Sequence, residues 1–155
     1  MERLDARILT LLQEDATRTT EAIGKKVGLS ATAVQRRVKR LRADRVIERE
    51  IAVLDPRKAG RPLTMLVMVS LERERADIID RFKQSVARTP EIMQGFYVTG
   101  DTDFLLIISA RDMKSYEAFT RQFFYQQSEI KTFKTLVVLD TVKRGLSIPL
   151  DWVED

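Results

Sequence analysis

The chain contains neither cysteine nor histidine. The first absence excludes disulfides and thiolate zinc sites. The second removes the usual general base, the commonest metal ligand and the side chain that changes charge near neutral pH. An enzyme is therefore not expected, and neither a cofactor nor a metal ion is required. No apolar run is long enough to span a membrane, and the first residues lack a signal-peptide pattern. A soluble cytoplasmic protein with no membrane partner is expected. Internal repeats and low-complexity tracts are also missing.

What is present is ordinary in amount and uneven in placement. At 155 residues and 44% hydrophobic content the chain suits one globular domain or two small ones. Its net charge of +4 divides into +6 over residues 1–63 and −2 over residues 64–155. A basic first part suits a polyanionic partner, and the mildly acidic second part suits a separate task.

The basic part has a helical rhythm. Leu4, Ile8, Leu11 and Leu12 form one apolar stripe, and Ile23 and Val27 mark a second helix. A tight turn at Gly28-Leu29 follows, with Ser30 placed to cap a third helix. On that helix Val34, Val38 and Leu41 share one face. Thr32, Arg36 and Lys39 point the opposite way, with Gln35 and Arg40 on the flanks. Ser30–Arg45 holds six Lys or Arg and one Asp, a local charge of +5. A basic outward face on a helix propped by another helix is what a major-groove reader needs, so double-stranded DNA is the expected partner. The plainer alternative is a solvated basic helix. Ser30, Thr32, Gln35, Arg36, Arg37, Lys39 and Arg40 form the candidate DNA-contacting set. Gln and Arg suit base edges, and Lys suits a phosphate. Arg37 sits nearer the core side, where an ion pair and a phosphate contact are both open to it. Lys25, Lys26 and the cations after Asp55 read as general electrostatic support.

Val46–Leu54 looks strand-like, as a wing or a connecting strand. Asp55–Pro62 carries two prolines, a glycine and three cations, which suits a linker. The expected division is residues 1–54 for the helix-turn-helix and its following strand, 55–63 for the linker and 64–155 for a second domain. In that domain Thr64–Leu71, Ile92–Thr99, Phe104–Ala110 and Lys134–Val142 read as strands. Arg75–Arg88 and Asp112–Gln127 read as helices, with Ile79, Phe82 and Val86, and Tyr116, Phe119 and Phe123, turned inward. The order βαββαβ is ferredoxin-like, so the fold class is α+β: a winged helix-turn-helix followed by a ferredoxin-like domain. Met65–Val69, Phe104–Ile108 and Leu136–Leu139 are nearly continuous apolar runs, the pattern of strands buried on both faces. Two helices cover only one face. A second copy of the chain is the simplest cover for the other, so a homodimer joined sheet to sheet is expected.

These pieces together resemble the Lrp/AsnC, or feast/famine, family of transcription regulators. The resemblance rests on Leu4-Asp5-Ala6-Arg7-Ile8-Leu9, Val27-Gly28-Leu29-Ser30, Arg37-Val38-Lys39-Arg40-Leu41, Val46-Ile47 and Val98-Thr99-Gly100-Asp101-Thr102-Asp103. Val142-Lys143 and Pro149-Leu150 extend it almost to the end. It implies a helix-turn-helix followed by a βαββαβ module for oligomerisation and amino-acid sensing, with dimers assembling into tetramers or octamers. The loop Gly100–Asp103 is by itself an ordinary hairpin turn. The resemblance makes it one wall of an amino-acid pocket between dimers, and carries Tyr97, Thr99, Gly100, Asp101 and Asp103 over as effector-binding residues. It carries Met113, Leu136, Val137 and Val138 over as well, residues that are equally at home in a plain core. Two departures stand out: Gly24 follows Ile23 where the family usually has alanine, and Arg45 precedes Val46-Ile47 where it commonly has glycine. The third helix is therefore expected to end without a left-handed glycine cap. The function implied is a DNA-binding regulator answering to a small effector, an amino acid above all. An enzyme of the same architecture, a siroheme decarboxylase, is disfavoured by the missing histidines, and a non-sensing architectural protein is the third reading.

Overall fold

The computed structural model describes residues 2–73 and 75–151. The end of the expected second domain, residues 152–155, lies outside them. The chain forms two compact units, Met1–Ala52 together with the tail from Lys143, and Val53–Val142. That tail was expected in the second domain. It groups with the first because Gln13 on the first helix clamps Ile148 from both sides. The Gln13 amide donates to the Ile148 carbonyl at 3.0 Å and its oxygen accepts the Ile148 N–H at 2.7 Å.

The first unit contains α1 (Arg3–Glu14), α2 (Thr20–Val27) and α3 (Ala31–Ala43). Ile8, Ile23, Val27, Val34 and Val38 make its core, one or two from each helix, with Leu4, Leu11, Leu12 and Ile47 packed around them. Each later helix starts on a hydroxyl cap. Thr19 accepts the Ala22 N–H and Ser30 accepts the Ala33 N–H, both at 3.2 Å. Gly28 ends α2 in the left-handed region at φ 76°, and the N–H groups of Gly28 and Leu29 both donate to the Gly24 carbonyl. The turn then passes so close to α2 that a Cβ on Gly24 would stand 2.4 Å from the Leu29 carbonyl oxygen.

Residues 46–54 do not form the expected strand. A strand needs a sheet to join, and the sheet among the described residues does not include this segment. Val46, Ile51, Val53 and Leu54 are left at least half exposed. The segment after Asp55 is a turn in which the Asp55 side chain accepts the Arg57 N–H at 2.9 Å.

The second unit is the expected sandwich of one sheet and two helices: β1 (Leu63–Leu71), α4 (Ala76–Arg88), β2 (Ile92–Tyr97), β3 (Phe104–Ala110), α5 (Met113–Phe123) and β4 (Ile130–Val137). The sheet order is β2-β3-β1-β4, antiparallel throughout. β4 begins four residues before the expected start and ends five before the expected finish. Its polar opening alternates outward along an edge, its pairing with β1 closes at Val137 and the Val138 N–H bond to Thr64, and Leu139 and Val142 stand in solvent. Burial alternates along β1 from Thr64 to Leu71. Met65, Val67 and Val69, with Phe104, Leu106 and Ile108 of β3, are sealed beneath Phe82, Tyr116, Phe123 and Phe124. The opposite face presents Leu66, Met68, Leu105 and Ile107, none fully buried, with Phe96 and Leu136 nearly half exposed. In the single chain, then, the strands are covered on one face only.

Candidate functional site

α3 separates its cations into two sets. Asp5, on α1 and only 1% exposed, accepts from Arg37 at 2.9 Å and from Arg40 at 2.6 Å, and also accepts the Glu2 N–H at 3.3 Å. Glu2 adds a second acceptor to Arg37 at 2.7 Å, and the pull of Glu2, then Asp5, raises the guanidinium pKa above its ordinary value. Arg42 pairs with Glu50 at 2.6 Å. Arg37 is thus a structural ion pair, the first of the two roles open to it. Arg40 shares Asp5 while staying half exposed, and Ser30 is occupied in starting the helix.

Thr32, Gln35, Arg36 and Lys39 are exposed and have no polar partner among the described residues. Thr32, Arg36 and Lys39 lie opposite buried Val34, Val38 and Leu41, with Gln35 on the flank, so packing fixes which way they face. Sequence pattern alone does not reveal the role of Asp5. Its signal was an acid set directly beside the apolar residues Leu4 and Ala6. Arg61, expected to be general electrostatic support, donates to both the hydroxyl and the carbonyl of Ser109, and so pins the linker to β3.

The effector candidates fall into two groups. Tyr97 ends β2, and Thr99, Gly100, Asp101 and Asp103 follow it in the loop before β3. Gly100 turns the chain at φ 117°, and Val98 N–H donates back to the Asp103 carbonyl at 2.9 Å. The loop is fastened to the far end of β1. Asp103 N–H and the Thr102 hydroxyl donate to the Val69 carbonyl, and one Asp103 carboxylate oxygen accepts the Leu71 N–H at 2.7 Å. The Tyr97 ring lies 5.0 Å from that of Phe104, with the Lys83 ammonium 4.9 Å from the Tyr97 centroid. The N–H groups of Thr99, Gly100 and Asp101 have no partner among the described residues.

Leu136, Val137 and Val138 pair instead with the other end of β1. Leu136 sits opposite Leu66, Val137 opposite Met65, and Val138 N–H donates to the Thr64 carbonyl. Met113 opens α5 at this same end, three residues past Ala110, which pairs with Leu63. At about 3.3 Å per residue the two groups stand roughly 20 Å apart along β1. One chain does not bring them together. Among the described residues no cluster of acidic side chains is placed to hold a metal, and no helix is long and apolar enough to cross a membrane.

Comparison with known proteins matches both units. Residues 1–42 match the AsnC-type helix-turn-helix domain and residues 64–148 the Lrp/AsnC ligand binding domain. An uncharacterized HTH-type transcriptional regulator of Sinorhizobium fredii is 54% identical over 97% of this chain and 89% of its own length. The crystal structure of an AsnC family transcriptional regulator from Agrobacterium tumefaciens superposes with a TM-score of 0.93 at 33% identity, covering 99% of this chain and all of that one. A transcriptional regulator from Neisseria meningitidis, solved as an L-Met complex, superposes at 0.91 with 28% identity over 97% of each chain.

Proposed function

Because the chain belongs to the Lrp/AsnC family of HTH-type transcriptional regulators, we propose that Thr32, Gln35, Arg36 and Lys39 read a DNA operator under the control of a bound amino acid. The protein is a DNA-binding transcriptional regulator carrying a ligand-binding domain, and not an enzyme. What carries the finer reading is the sorting of charge on α3. Arg37, Arg40 and Arg42 are drawn to carboxylates, while Arg36 and Lys39 are left exposed on the outward face. A merely solvated helix has no reason to sort its cations by face. Replacing both Arg36 and Lys39 with alanine should leave the fold intact and weaken binding to a duplex selected by the wild-type chain by roughly 1–3 kcal/mol. Unchanged affinity would remove α3 from the interface.

On the sensing side, an amino acid needs an anion or carbonyls for its ammonium and N–H groups for its carboxylate. The loop supplies both, in Asp103 and in the open N–H groups of Thr99, Gly100 and Asp101. The separation of the loop from Met113 and Leu136–Val138 supports a site completed between copies, one lending the loop and another the apolar wall. The half-covered face of Leu66, Met68, Leu105 and Ile107 supports a homodimer joined there, with larger assemblies bringing loops to walls. The L-Met complex of the Neisseria meningitidis protein favours an amino acid as effector. Titrating the twenty amino acids against melting temperature tests sensing itself, since a ligand of the folded state alone raises it. No response to any of them would favour the architectural reading.

A further inference from the structure

Of the six cations between Ser30 and Arg45, only Arg36, Lys39 and Arg45 have no carboxylate partner among the described residues. Arg45 occupies an unusual backbone position. α3 closes with the Val46 N–H donating to the Leu41 carbonyl at 2.9 Å and the Arg45 N–H donating to the Arg42 carbonyl at 3.1 Å. This pair of bonds defines the Schellman ending, whose turning residue must be left-handed. Arg45 is that residue, at φ 56°, and among the described residues no other non-glycine has a positive φ. A Cβ crowds the following carbonyl there, which is why glycine is usual. Asparagine, the usual second choice, offsets the strain with a local hydrogen bond, and arginine has no such bond to make. Its side chain is exposed, without a polar partner among the described residues, so the fold itself gains nothing from it.

We infer that Arg45 is a phosphate-contacting residue of the DNA interface, held in a strained turn because of where that turn delivers its charge. The inference rests on α3 being the groove-reading helix. α3 runs four residues beyond Lys39, roughly 6 Å further along the axis at about 1.5 Å each, and Arg45 follows in the turn that closes it. With Lys39 inside a groove about 12 Å wide, that distance brings the helix end to the phosphates at its wall. A phosphate contact fixes register without reading sequence. Arg45 is thus a positioning residue for the base-reading side chains before it.

The test sets strain against charge in the full-length chain. Arg45→Gly removes both, Arg45→Ala removes the charge alone, and Arg45→Lys keeps the charge. Affinity is measured across a salt series, both for a duplex selected by the wild-type chain from a random pool and for unrelated duplex DNA. Arg45→Gly should melt about 4 °C higher than wild type yet bind roughly tenfold more weakly near 0.1 M salt. Its plot of log affinity against log salt should be shallower by about 0.9. Arg45→Ala should lose the same affinity with no gain in melting temperature, and Arg45→Lys should retain most of it. Both duplexes should be affected alike, because phosphates carry no sequence. Wild-type affinity and salt slope in Arg45→Gly and Arg45→Ala would overturn the assignment. The Arg36→Ala/Lys39→Ala variant is measured alongside. If it binds weakly while Arg45→Gly binds normally, Arg45 alone is wrong. If it binds normally while Arg45→Gly is weakened, Arg45 meets DNA but the α3 reading falls, and with it the positioning role given to Arg45.

Discussion

Asp103 carries a structural load, and the proposed function gives it an effector-binding one as well. Its carboxylate accepts the Leu71 N–H with one oxygen, and Leu71 is nearly buried, so removing the acceptor strands a donor. That costs about 1–3 kcal/mol. Asp103→Ala should therefore melt lower than wild type as well as fail to respond to the effector. Asp103→Asn separates the two, because its amide oxygen still accepts from Leu71 while its charge is gone. Thermal melts should place Asp103→Asn near wild type without ligand, and show no rise on adding the amino acid that stabilises wild type. A normal rise would reduce Asp103 to a fastener for the loop. The carboxylate's place in the Gly100–Asp103 turn was legible in the sequence; its bond to β1 was not, since nothing local marks Leu71 as its donor. Asp5 was hidden for the same reason. Its partners Arg37 and Arg40 lie more than thirty residues away, and only the packing of α1 against α3 brings them together.

At the scale of elements, periodicity succeeded where burial is one-sided and failed where an element depends on a partner. α1, α2 and α3 reach no more than three residues beyond the apolar stripes that mark them, and β3 matches its expected span. Val46–Leu54 has the composition of a strand but joins no sheet among the described residues, and β4 pairs with β1 only as far as Val137, opposite Met65. Ladder partners are a property of topology, which propensity does not encode. The end of α3 is the other miss. It lacks glycine, as expected, yet keeps the left-handed turn through Arg45. The turn before α3 is tighter than expected. Alanine at position 24 would gain about 1 kcal/mol of helix propensity. Its Cβ would also meet the Leu29 carbonyl at 2.4 Å, and that carbonyl belongs to a turn held by two bonds to Gly24 itself. The clash is with backbone, so the steric cost wins, and Gly24→Ala should lower stability by about 1 kcal/mol net. Chemical denaturation of the full chain measures it, and a stabilised variant would show that the turn yields.

For the whole molecule, the proposed assembly of copies answers both the half-covered sheet face and the separation of the proposed effector residues. Ile107 lies mid-face, opposite Leu66 on one side and Gln94 on the other. Ile107→Glu should leave the single-chain fold intact by circular dichroism and yield monomers by light scattering at micromolar concentration. A dimer that survives would place the interface elsewhere. Effector control then requires that ligand binding favour one assembly over another, and that the assemblies differ in affinity for DNA. The most direct measurement is the binding isotherm of the full-length chain for its selected duplex. It is recorded with and without the amino acid that most raises the melting temperature. A coupled regulator predicts a shift in affinity of roughly 5- to 150-fold, in either direction. Superimposable isotherms under saturating amino acid would contradict effector control.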